Sequence, residues 1–421
     1  MAHRPDLAPG SPAPGTPRIV ILNDNAVADG GTAVLALKSA RMLAARGYDV
    51  TFIAGDVGDD GALKAAGVRL IALGGRHLLD QAQRRAAQDG IYNRRLRDLI
   101  RAEITASDTP DTVYHLHGWA GVLSPSVFAA LRDVASRTYI HAHDFFLACP
   151  NGVYFDFPRQ EVCHRKPMSL SCLTTNCDKR AWHHKQWRSL RHAVLHRAFD
   201  TSLPWAGIVL ISDAMAGGLA RAGLPSRLFR TVLNPAEPFG PTRIPAERNR
   251  KLAFIGRLEA GKGVELLCTA SRIADLPLRV IGDGAMRAQL EATFPEVEFA
   301  GWRQPDEIGA MLGKARALVL PTLTPEPFGL VAAEASCSGL PVLMSSAMLL
   351  SGELVDKGLG LAADVASPET LARSLNEFMA LPDTAVEEMS RRGFERRASI
   401  ANSAESWIDG LVATYRACLT G

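Results

Sequence analysis

Residues 18–55 read RIVILNDNAVADGGTAVLALKSARMLAARGYDVTFIAG, and this stretch decides the fold. It opens with an apolar run, RIVILNDN (18–25), that stops at polar residues, as a buried parallel strand does. A glycine pair then opens a segment whose apolar residues have helical spacing up to Gly47, and YDVTFIAG (48–55) is a second strand. Strand, glycine turn, helix and strand in this order predict a βαβ unit.

The same pattern recurs along the chain and then restarts. Further strands are predicted at TVYHLHG (112–118), RTYIHAHD (137–144) and AGIVLISD (206–213). The stretch 233–250, which bears Pro and Arg, is interpreted as a linker. After it, short apolar strands separated by helical segments return at KLAFIGR (251–257), LRVIGDG (278–284), VEFAGW (297–302) and ARALVLPT (315–322). Two successive sets of alternating strands and helices predict two doubly wound α/β domains, whose sheets bind ligands beyond the carboxyl ends of their strands.

Composition and charge exclude several classes of protein. A length of 421 residues exceeds the size at which one core keeps growing, which agrees with two domains. The hydrophobic content of 47% and the charged content of 22% are typical of a soluble globular protein. The net charge of +3 is too small to indicate a nucleic-acid-binding protein. No uncharged apolar run approaches the length of a membrane span, so we expect no transmembrane helix.

The two ends of the chain differ in character. Residues 1–17 carry five prolines and no apolar central stretch, so they are predicted to be a disordered tail and not a secretory signal. Without an export signal, the seven cysteines are expected to be reduced thiols in the cytoplasm. The last segment, AESWIDGLVATYRACL, predicts a helix with an apolar stripe. The predicted organisation after the tail is an N-terminal domain at 18–235 with an insertion near 149–199, a C-terminal domain at 236–398, and a C-terminal helix at 399–421 that packs back toward the N-terminal domain.

Two cations follow the first strand of the C-terminal domain. Gly256 ends the strand and allows a ligand to approach the backbone, and Arg257 and Lys262 share the next loop. Such a pair suits a diphosphate, which Arg holds by bidentate hydrogen bonds and Lys as a point charge. Two solvated surface charges are the alternative interpretation. Gly30-Gly31, at the start of the first helix, is a second phosphate signal or simply a tight turn.

Two glutamates flank an apolar Pro-Phe-Gly turn in PTLTPEPFGLVAAEASCSGLPVL (321–343). Glu326 lies in the loop after a predicted strand, and Glu334 lies one to two turns inside the following helix. A helix-dipole interaction is enough to explain Glu334, but it does not explain Glu326. Because carboxylates accept hydrogen bonds from sugar hydroxyls, the two glutamates can hold two polyol rings, one on either side of a diphosphate.

These motifs resemble the retaining glycosyltransferases of family 4, which have the GT-B fold. The resemblance runs from about residue 18 to 420. In the N-terminal half it is carried by DGGTAVLALKSARMLAARGYDVTFIAG, VYHLHG, HAHDFFLACP and VLISDAM, and in the C-terminal half by FIGRLEAGKGVELL, VIGDG, EPFGLVAAE and GLPVL. Its most specific part is the E-x7-E spacing of Glu326 and Glu334 together with the upstream Arg and Lys. It implies an α/β protein with two doubly wound Rossmann-like domains that face each other across a cleft.

The resemblance also implies what the C-terminal domain binds. The donor would be a nucleotide-activated sugar, with UDP or GDP as the nucleotide. Glu334 would accept hydrogen bonds from the ribose hydroxyls. The sugar would be held by Glu326 and by the backbone N–H groups of Phe328, Gly329 and Leu330.

The catalytic groups that the resemblance implies are Glu326, His143, Arg257 and Lys262. Arg257 and Lys262 would neutralise the leaving diphosphate, where negative charge develops. Gly31 would close on the phosphates from the other domain, and His143, in HAHD, would face the transferred sugar. The anomeric configuration would be retained, and a diphosphate oxygen would take the acceptor's proton, so no dedicated protein base would be needed. The chain has no Asp-x-Asp motif, which agrees with the two cations replacing a metal on the diphosphate.

The implied acceptor is a lipid-linked glycan or a polysaccharide, in the synthesis of a bacterial-type surface glycan. Two alternatives are kept: a sugar epimerase or phosphorylase on the same scaffold, and a non-catalytic scaffold that binds nucleotide sugars. A phosphorylase would normally show a cofactor-lysine region, which we do not find in the sequence. Intact glutamates and cations argue against a decayed scaffold. The nucleobase, the sugar and the acceptor are not identified by the sequence.

The insertion after HAHDFF combines cysteines with a basic stretch. Its four cysteines are Cys149, Cys163, Cys172 and Cys177. They can bind a structural Zn²⁺, stay reduced in a buried cluster or form disulfides. Their spacing contains no CxxC pair. The stretch 179–199 has six Lys/Arg, two Trp and no acidic residue. It can lie on an anionic membrane, at the inner face of the plasma membrane, or form a solvated helix face.

Three histidines alternate with apolar residues on two predicted strands. His115, His117 and His141 are candidate acceptor contacts, but each can also be a structural histidine with satisfied hydrogen bonds. We favour a structural role for His115 and leave both roles open for His117 and His141.

Overall fold

The computed structural model describes residues 17–28, 30–58 and 61–420, and of residues 305–306 it describes the backbone. The predicted disordered tail at 1–17 therefore lies outside the described residues except for Pro17. The chain divides into two compact units. The first unit contains the residues up to Gly152, then 165–232, and the residues from Ile408 onward, and the second contains 153–164 and 233–407.

The strands of the two units are short and regularly spaced along the chain. They are β1 (Arg18–Asn23), β2 (Val50–Ala54), β3 (Arg69–Ala72), β4 (Thr112–Leu116), β5 (Thr138–Ala142), β6 (Phe155–Asp156), β7 (Glu161–Val162), β8 (Gly207–Leu210), β9 (Phe229–Thr231), β10 (Lys251–Ile255), β11 (Leu278–Ile281), β12 (Glu298–Gly301), β13 (Ala315–Leu320), β14 (Val342–Ser345) and β15 (Gly360–Ala363).

Helices connect the strands. They are α1 (Gly31–Ala45), α2 (Gly61–Ala65), α3 (Gln83–Ile91), α4 (Arg94–Ser107), α5 (Ser126–Ala130), α6 (Leu170–Thr174), α7 (Trp182–Ala198), α8 (Ala216–Arg221), α9 (Val264–Ile273), α10 (Arg287–Thr293), α11 (Pro305–Leu312), α12 (Leu330–Cys337), α13 (Ser351–Asp356), α14 (Pro368–Met379), α15 (Asp383–Phe394) and α16 (Ala404–Ala417). Short 3₁₀ turns lie at Leu78–Asp80, Arg132–Arg137, Asp213–Met215, Ser226–Leu228, Ala246–Arg248 and Ala260–Lys262.

The first unit is built on a parallel sheet of seven strands in the order β3-β2-β1-β4-β5-β8-β9. Its central strands β1, β2, β4 and β5 are buried along almost their whole length, because helices cover both faces of a doubly wound sheet. The chain runs outward from β1 to β3 and then returns to place β4 beside β1. This reversal marks the position where such sheets bind ligands.

The second unit repeats the design with six parallel strands in the order β12-β11-β10-β13-β14-β15. The strand order reverses between β10 and β13, which are paired in parallel. The strands β6 and β7 form a separate antiparallel pair. Two doubly wound parallel sheets confirm the predicted fold class.

Helix α1 shows how the sequence produces these elements. It begins after Gly30 and buries a stripe in which Ala36, Ala40 and Leu43 have no exposed surface. This spacing of four and three residues is the helical period that the sequence displays. The helix ends at Ala45, and Gly47 follows its C-cap with a φ of +84°, in the left-handed region that favours glycine.

The stretch 233–250, interpreted from the sequence as a linker, begins at the boundary between the two units and is packed. It belongs to the second unit, where the amide of Ala236 donates to the carbonyl oxygen of Asn402 at 3.0 Å. The guanidinium of Arg243 donates to both carboxylate oxygens of Glu247, at 2.8 and 2.9 Å, and Ile244 is buried. The Pro and Arg content that suggested a linker belongs instead to a packed connection.

No helix among the described residues combines the length and the apolar character that crossing a bilayer requires.

Candidate active site

Two loops meet at the carboxyl edge of the second sheet, at the reversal of strand order. One follows β10 and carries Gly256, Arg257 and Lys262, and the other follows β13 and leads into α12. Because β10 and β13 are paired in parallel, both loops leave the sheet at the same edge.

A close backbone contact fixes these two loops to each other. Gly263 has a φ of +69°, and a Cβ built on it would lie 2.1 Å from the carbonyl oxygen of Pro321. The amide of Leu323 also donates to the carbonyl oxygen of Gly261 at 3.0 Å. A side chain at position 263 would push the loops apart, so glycine is required by both conformation and space.

This contact brings together two residues that the sequence assigns to different parts of a ligand. The Nζ atom of Lys262 lies 2.7 Å from Oε2 of Glu326, and their side chains are 28% and 27% exposed. The expected diphosphate-binding cation and the expected sugar-binding carboxylate are therefore ion-paired with each other. Both side chains are still accessible from solvent.

The turn after Glu326 positions the start of α12. Phe328 is buried, and Gly329 adopts a φ of +77° as the residue before the first helical turn. The amides of Ala332 and Ala333 donate to the carbonyl oxygen of Gly329 at 2.9 and 3.4 Å. Those of Leu330 and Val331, at the very start of the helix, point the way that an anion or a hydroxyl oxygen is bound at helix N-termini. The amide of Leu349 donates to the carbonyl oxygen of Glu326 at 3.0 Å and holds the turn from behind.

Glu334 is the fifth residue of α12, as the sequence predicts. Its side chain is partly buried, and its carbonyl oxygen accepts a hydrogen bond from the hydroxyl of Ser338 at 2.7 Å. The helix ends before Gly339, which has a φ of +84°. Arg257 is placed differently from Lys262: its side chain is 74% exposed and pairs with Glu259 at 3.0 Å.

The glycines of VIGDG support the loop that carries Arg257. A Cβ on Gly282 would lie 1.9 Å from the carbonyl oxygen of Gly256, and one on Gly284 would lie 2.6 Å from that of Leu258. The sequence shows this motif, but propensity and spacing alone do not indicate that it packs against the first loop of the unit.

A second candidate region is a cavity of about 190 Å³ in the first unit. It lies at the carboxyl ends of β1, β4 and β5, around the reversal in strand order, and both Gly31 and His143 line it. Gly31 is the first residue of α1, as expected for a phosphate-binding turn. His143 is partly buried, and burial lowers its pKa to about 3, so its imidazole is neutral.

Two aspartates in this cavity are not among the residues that the sequence singles out. The carboxylate of Asp24 accepts hydrogen bonds from the amides of Gly121, Val122 and Leu123 at 2.6 to 2.8 Å. Burial, together with the nearby charge of Asp24, raises the pKa of Asp144 to about 6. A polar residue directly after a buried strand is the signal for Asp24, but its three amide donors come from a distant loop.

Four imidazoles lie on one face of the first sheet. The ring centroids of His115, His117 and His141 are 4.2 to 5.1 Å apart. Nδ1 of His115 lies 2.6 Å from the hydroxyl of Tyr415, and Nδ1 of His117 lies 3.0 Å from Nε2 of His143. Burial lowers the pKa of each ring, to about 3 for His115 and well below the usual value for His117 and His141.

The basic stretch 179–199 turns part of its charge inward. Most of it forms α7, where Lys185 is 1% exposed and Arg191 is 8% exposed. Arg188 pairs with the buried Asp178 at 2.7 Å. The exposed cations of the stretch are Lys179, Arg180 and Arg197.

Three of the four insertion cysteines belong to the first unit. Lys185 Nζ lies 3.4 Å from Sγ of Cys172. Burial would lower the pKa of Lys185, but the thiols of Cys177 and Cys172 raise it above its usual value. An ammonium group therefore lies within this group of thiols, and zinc binding there stays a prediction.

Comparisons with known proteins agree with this architecture. The family model described as Glycosyltransferase Family 4 matches residues 29–238, and the model described as Glycosyl transferases group 1 matches residues 242–396. Glycogen synthase from Mycobacterium tuberculosis is 27% identical over 291 residues, which are 61% of this chain and 63% of that protein. The chain spans 37% to 63% of the lengths of the first curated relatives that it matches, which is less than two thirds.

Solved structures are similar over nearly the whole chain. Sucrose-phosphate synthase from Thermosynechococcus elongatus superposes with a TM-score of 0.68 at 16% identity, over 95% of this chain and 98% of that chain. Anabaena HepE in complex with UDP superposes with a TM-score of 0.61 at 15% identity, over 95% of this chain and 100% of that chain. The two family matches show that the chain belongs to glycosyltransferase family 4, and the similar solved structures together with the two doubly wound sheets show that it has the GT-B fold.

Proposed function

We propose that the protein is a retaining glycosyltransferase that moves a sugar from a UDP- or GDP-sugar to a lipid-linked or polysaccharide acceptor. The observation that carries this proposal is the pair of Lys262 and Glu326, 2.7 Å apart at the carboxyl edge of the second sheet and beside the start of α12. The cation suits the negative charge of the diphosphate, and the carboxylate can accept hydrogen bonds from the sugar hydroxyls. The amides at the start of the helix can donate to oxygen atoms of either part of the ligand.

On donor binding, the diphosphate takes Glu326's place as the partner of Lys262, and Arg257 contributes a second positive charge. Glu326 is then released to accept hydrogen bonds from the sugar hydroxyls. The ribose hydroxyls donate to Glu334, and the remaining contacts to the sugar come from the backbone N–H groups of Phe328, Gly329 and Leu330.

In the transfer step, the bond between the anomeric carbon and the diphosphate oxygen breaks, and the acceptor oxygen bonds to the same face of the sugar. The acceptor's proton goes to an oxygen of the leaving diphosphate. Lys262 and Arg257 stabilise the developing negative charge, so the diphosphate requires no metal. Retention of configuration follows from attack on the face that the diphosphate leaves.

The first unit is proposed to bind the acceptor in the cavity that Gly31 and His143 line. Its volume of about 190 Å³ is below the roughly 300–1,000 Å³ of pockets for drug-sized ligands, so it suits one polar ring and not a long chain. The carboxylates of Asp24 and Asp144 can accept from acceptor hydroxyls, and the neutral His143 provides a polar wall. Gly31, at the start of α1, offers amides to a phosphate.

The comparisons support the substrate class. Glycogen synthase, by its name, builds a polysaccharide, and the HepE structure contains UDP. We infer from these names that a nucleotide-activated sugar is the donor and that a glycan is the acceptor of this chain.

We further propose that the protein works in the cytoplasm and contacts the inner face of the plasma membrane through residues 179–199. Trp182 and Leu190 are exposed on α7, 43% and 55% respectively, and Lys179 and Arg180 are exposed before it. Exposed apolar side chains beside cations suit an anionic lipid surface. Flotation of the protein with phosphatidylserine vesicles tests this contact. The contact would be contradicted if as much protein floated with neutral vesicles, and if the Trp182→Ser variant floated with phosphatidylserine vesicles as well as the wild type does.

The donor site is tested by a thermal-shift screen of nucleoside diphosphates and their sugars, because a ligand that binds only the folded state raises the melting temperature. The sugar nucleotide with the largest shift is then used in a transfer assay with the Glu326→Ala variant. We expect transfer to be lost while the fold persists.

The matched control is Glu298→Ala. Glu298 also forms a 2.7 Å pair with a lysine, Lys251, but at the opposite, amino edge of the same sheet. Equal turnover in Glu326→Ala and Glu298→Ala would refute the site.

A further inference from the structure

The buried histidines of the first unit carry ring nitrogens that no protein group satisfies. Nε2 of His115, Nε2 of His117 and both ring nitrogens of His141 have no hydrogen-bond partner. These three side chains are 0% to 2% exposed. A buried polar atom without a partner is costly, so such a concentration of them points to a group that binds there.

The three side chains converge. One potential ligand nitrogen from each lies within 4.8 Å of the others. This follows from the sheet: His115 lies on β4, His117 follows it two residues later on the same face, and the parallel register brings His141 of β5 next to His117.

We propose that His115, His117 and His141 bind a divalent transition-metal ion of the zinc class, with a fourth coordination position open toward the cavity of the first unit. Three histidines with one open position are a common protein site for Zn²⁺. All-imidazole ligands suit such ions and do not suit Mg²⁺ or Ca²⁺, which prefer oxygen.

The surrounding hydrogen bonds leave one nitrogen of His115 and one of His117 available to bind the metal ion. When the Nδ1–H of His115 donates to the Tyr415 oxygen, 2.6 Å away, the Nε2 lone pair of His115 is left for the metal. When the Nδ1–H of His117 donates to Nε2 of His143, 3.0 Å away, Nε2 of His117 is likewise left. Ligating histidines usually donate their second nitrogen in this way.

The geometry requires only a small adjustment. Zinc–nitrogen bonds of about 2.0–2.1 Å in a tetrahedron place two ligand nitrogens about 3.4 Å apart. Because the ligand nitrogens lie within 4.8 Å of one another, Zn²⁺ binding would require the imidazoles to turn and bring them closer by up to about 1.4 Å. His117 and His141 line the cavity, so the open position is reached from it.

This site is in the first unit and does not depend on the proposed donor site. The proposed transfer reaction needs no metal on the diphosphate, and an ion at the histidines would instead form part of the cavity floor. It would thereby orient a hydroxyl or an ordered water in that cavity.

The test uses the full chain without a polyhistidine tag, treated with chelator and then titrated with Zn²⁺ by calorimetry. We expect one equivalent of Zn²⁺ to bind and to raise the melting temperature. The key variant is His141→Phe, because neither nitrogen of His141 has a protein partner, so the substitution removes a ligand without breaking a hydrogen bond. Zn²⁺ affinity should fall by roughly 100-fold or more.

His192→Phe is the matched control, since His192 is a buried histidine of α7 outside the group, and it should bind Zn²⁺ as the wild type does. Tyr415→Phe should weaken binding by roughly 10- to 100-fold, as expected for a residue that orients a ligand.

Substitution with Co²⁺ separates this site from the cysteines of the insertion. The proposal is supported if the cobalt spectrum shows no thiolate charge-transfer absorption and if the cobalt absorption disappears in the His141→Phe variant. Thiolate charge-transfer absorption, unchanged Zn²⁺ affinity in His141→Phe, or no binding in the wild type would each overturn it.

Discussion

Gly263 and Pro321 meet backbone to backbone, at a distance that only glycine permits. The contact joins the loop after β10 to the loop after β13, and Lys262 and Glu326 are paired because of it. The geometry of the candidate donor site therefore depends on a residue that contacts no ligand.

Gly263→Ala is expected to destabilise the protein by about 2 kcal/mol or more, since alanine is strained at positive φ and its Cβ would clash with the Pro321 carbonyl. Urea denaturation measures the change. Gly261→Ala is the control from the same loop, because a Cβ there would meet its nearest neighbour, Thr324, at an ordinary 3.8 Å. Equal stability of the two variants would show that the contact with Pro321 is unimportant.

The ion pair predicts opposite effects of two substitutions on nucleoside diphosphate binding. Lys262→Ala should weaken binding roughly 10- to 100-fold, as expected for the loss of a charge-assisted hydrogen bond. Glu326→Gln should keep or strengthen it, because Lys262 loses the carboxylate that competes with the diphosphate.

Isothermal calorimetry with UDP and GDP measures both changes, and Lys251→Ala, from the other Lys–Glu pair of the sheet, is the control. Parallel losses in Lys262→Ala and Glu326→Gln would contradict this competition. Both variants should stay folded, since partly exposed pairs contribute at most about 1 kcal/mol to stability.

We expect the folded protein to lose stability in acid because of the buried imidazole of His192. Burial lowers its pKa to about 3, with the charges of His196 and Lys185 acting in the same direction. The unfolded chain protonates this ring near its usual value of 6.5, so the stabilisation is complete above pH 6.5 and is lost as the pH falls toward 3. In His192→Gln, the slope of unfolding free energy against pH in this window should be smaller by about 1.4 kcal/mol per pH unit.

Denaturation curves between pH 4 and 7 measure that slope, and His183→Gln, on the exposed side of the same helix, should leave it unchanged. Identical slopes in His192→Gln and the wild type would contradict the prediction.

For Asp144 we expect the opposite dependence of stability on pH: the folded protein becomes less stable as the pH rises. Its folded-state pKa of about 6 exceeds the usual 3.8, so the folded protein loses stability as the pH rises through this interval and the buried carboxyl ionises. Asp144→Asn should therefore be more stable than the wild type above pH 6, by up to about 3 kcal/mol. Thermal or urea unfolding at pH 7.5 measures the difference. Asp133→Asn, at a carboxylate that is 76% exposed, should change little, and an Asp144→Asn variant no more stable than Asp133→Asn would contradict the prediction.

The sequence predicts most of the central strands because each is a short apolar run that is buried along most of its length. It predicts the edge strands less reliably: it predicts β12 but not β3, β9 or β15, which have only three or four residues each. It also predicts Lys262 and Glu326 as site residues, since their motifs are specific in spacing.

The sequence does not predict that these two residues are paired, because the pairing depends on a contact between loops about 60 residues apart. The sequence does not identify Asp24 as a site residue for the same reason, since its amide donors come from residues nearly 100 positions away. Charge alone does not indicate which cations of 179–199 are exposed, and two of them, Lys185 and Arg191, are buried.

The hydroxyl of Tyr415 in α16 reaches His115 of β4, and the hydroxyl of Tyr139 donates to the carbonyl oxygen of Thr414 at 2.7 Å. These partners are 300 and 275 residues apart in the chain. During synthesis, the strands of the first unit leave the ribosome long before α16 is translated, and the histidine face of the sheet stays uncovered for that interval. The first unit can therefore begin to fold early but is completed only after the whole second unit has been made.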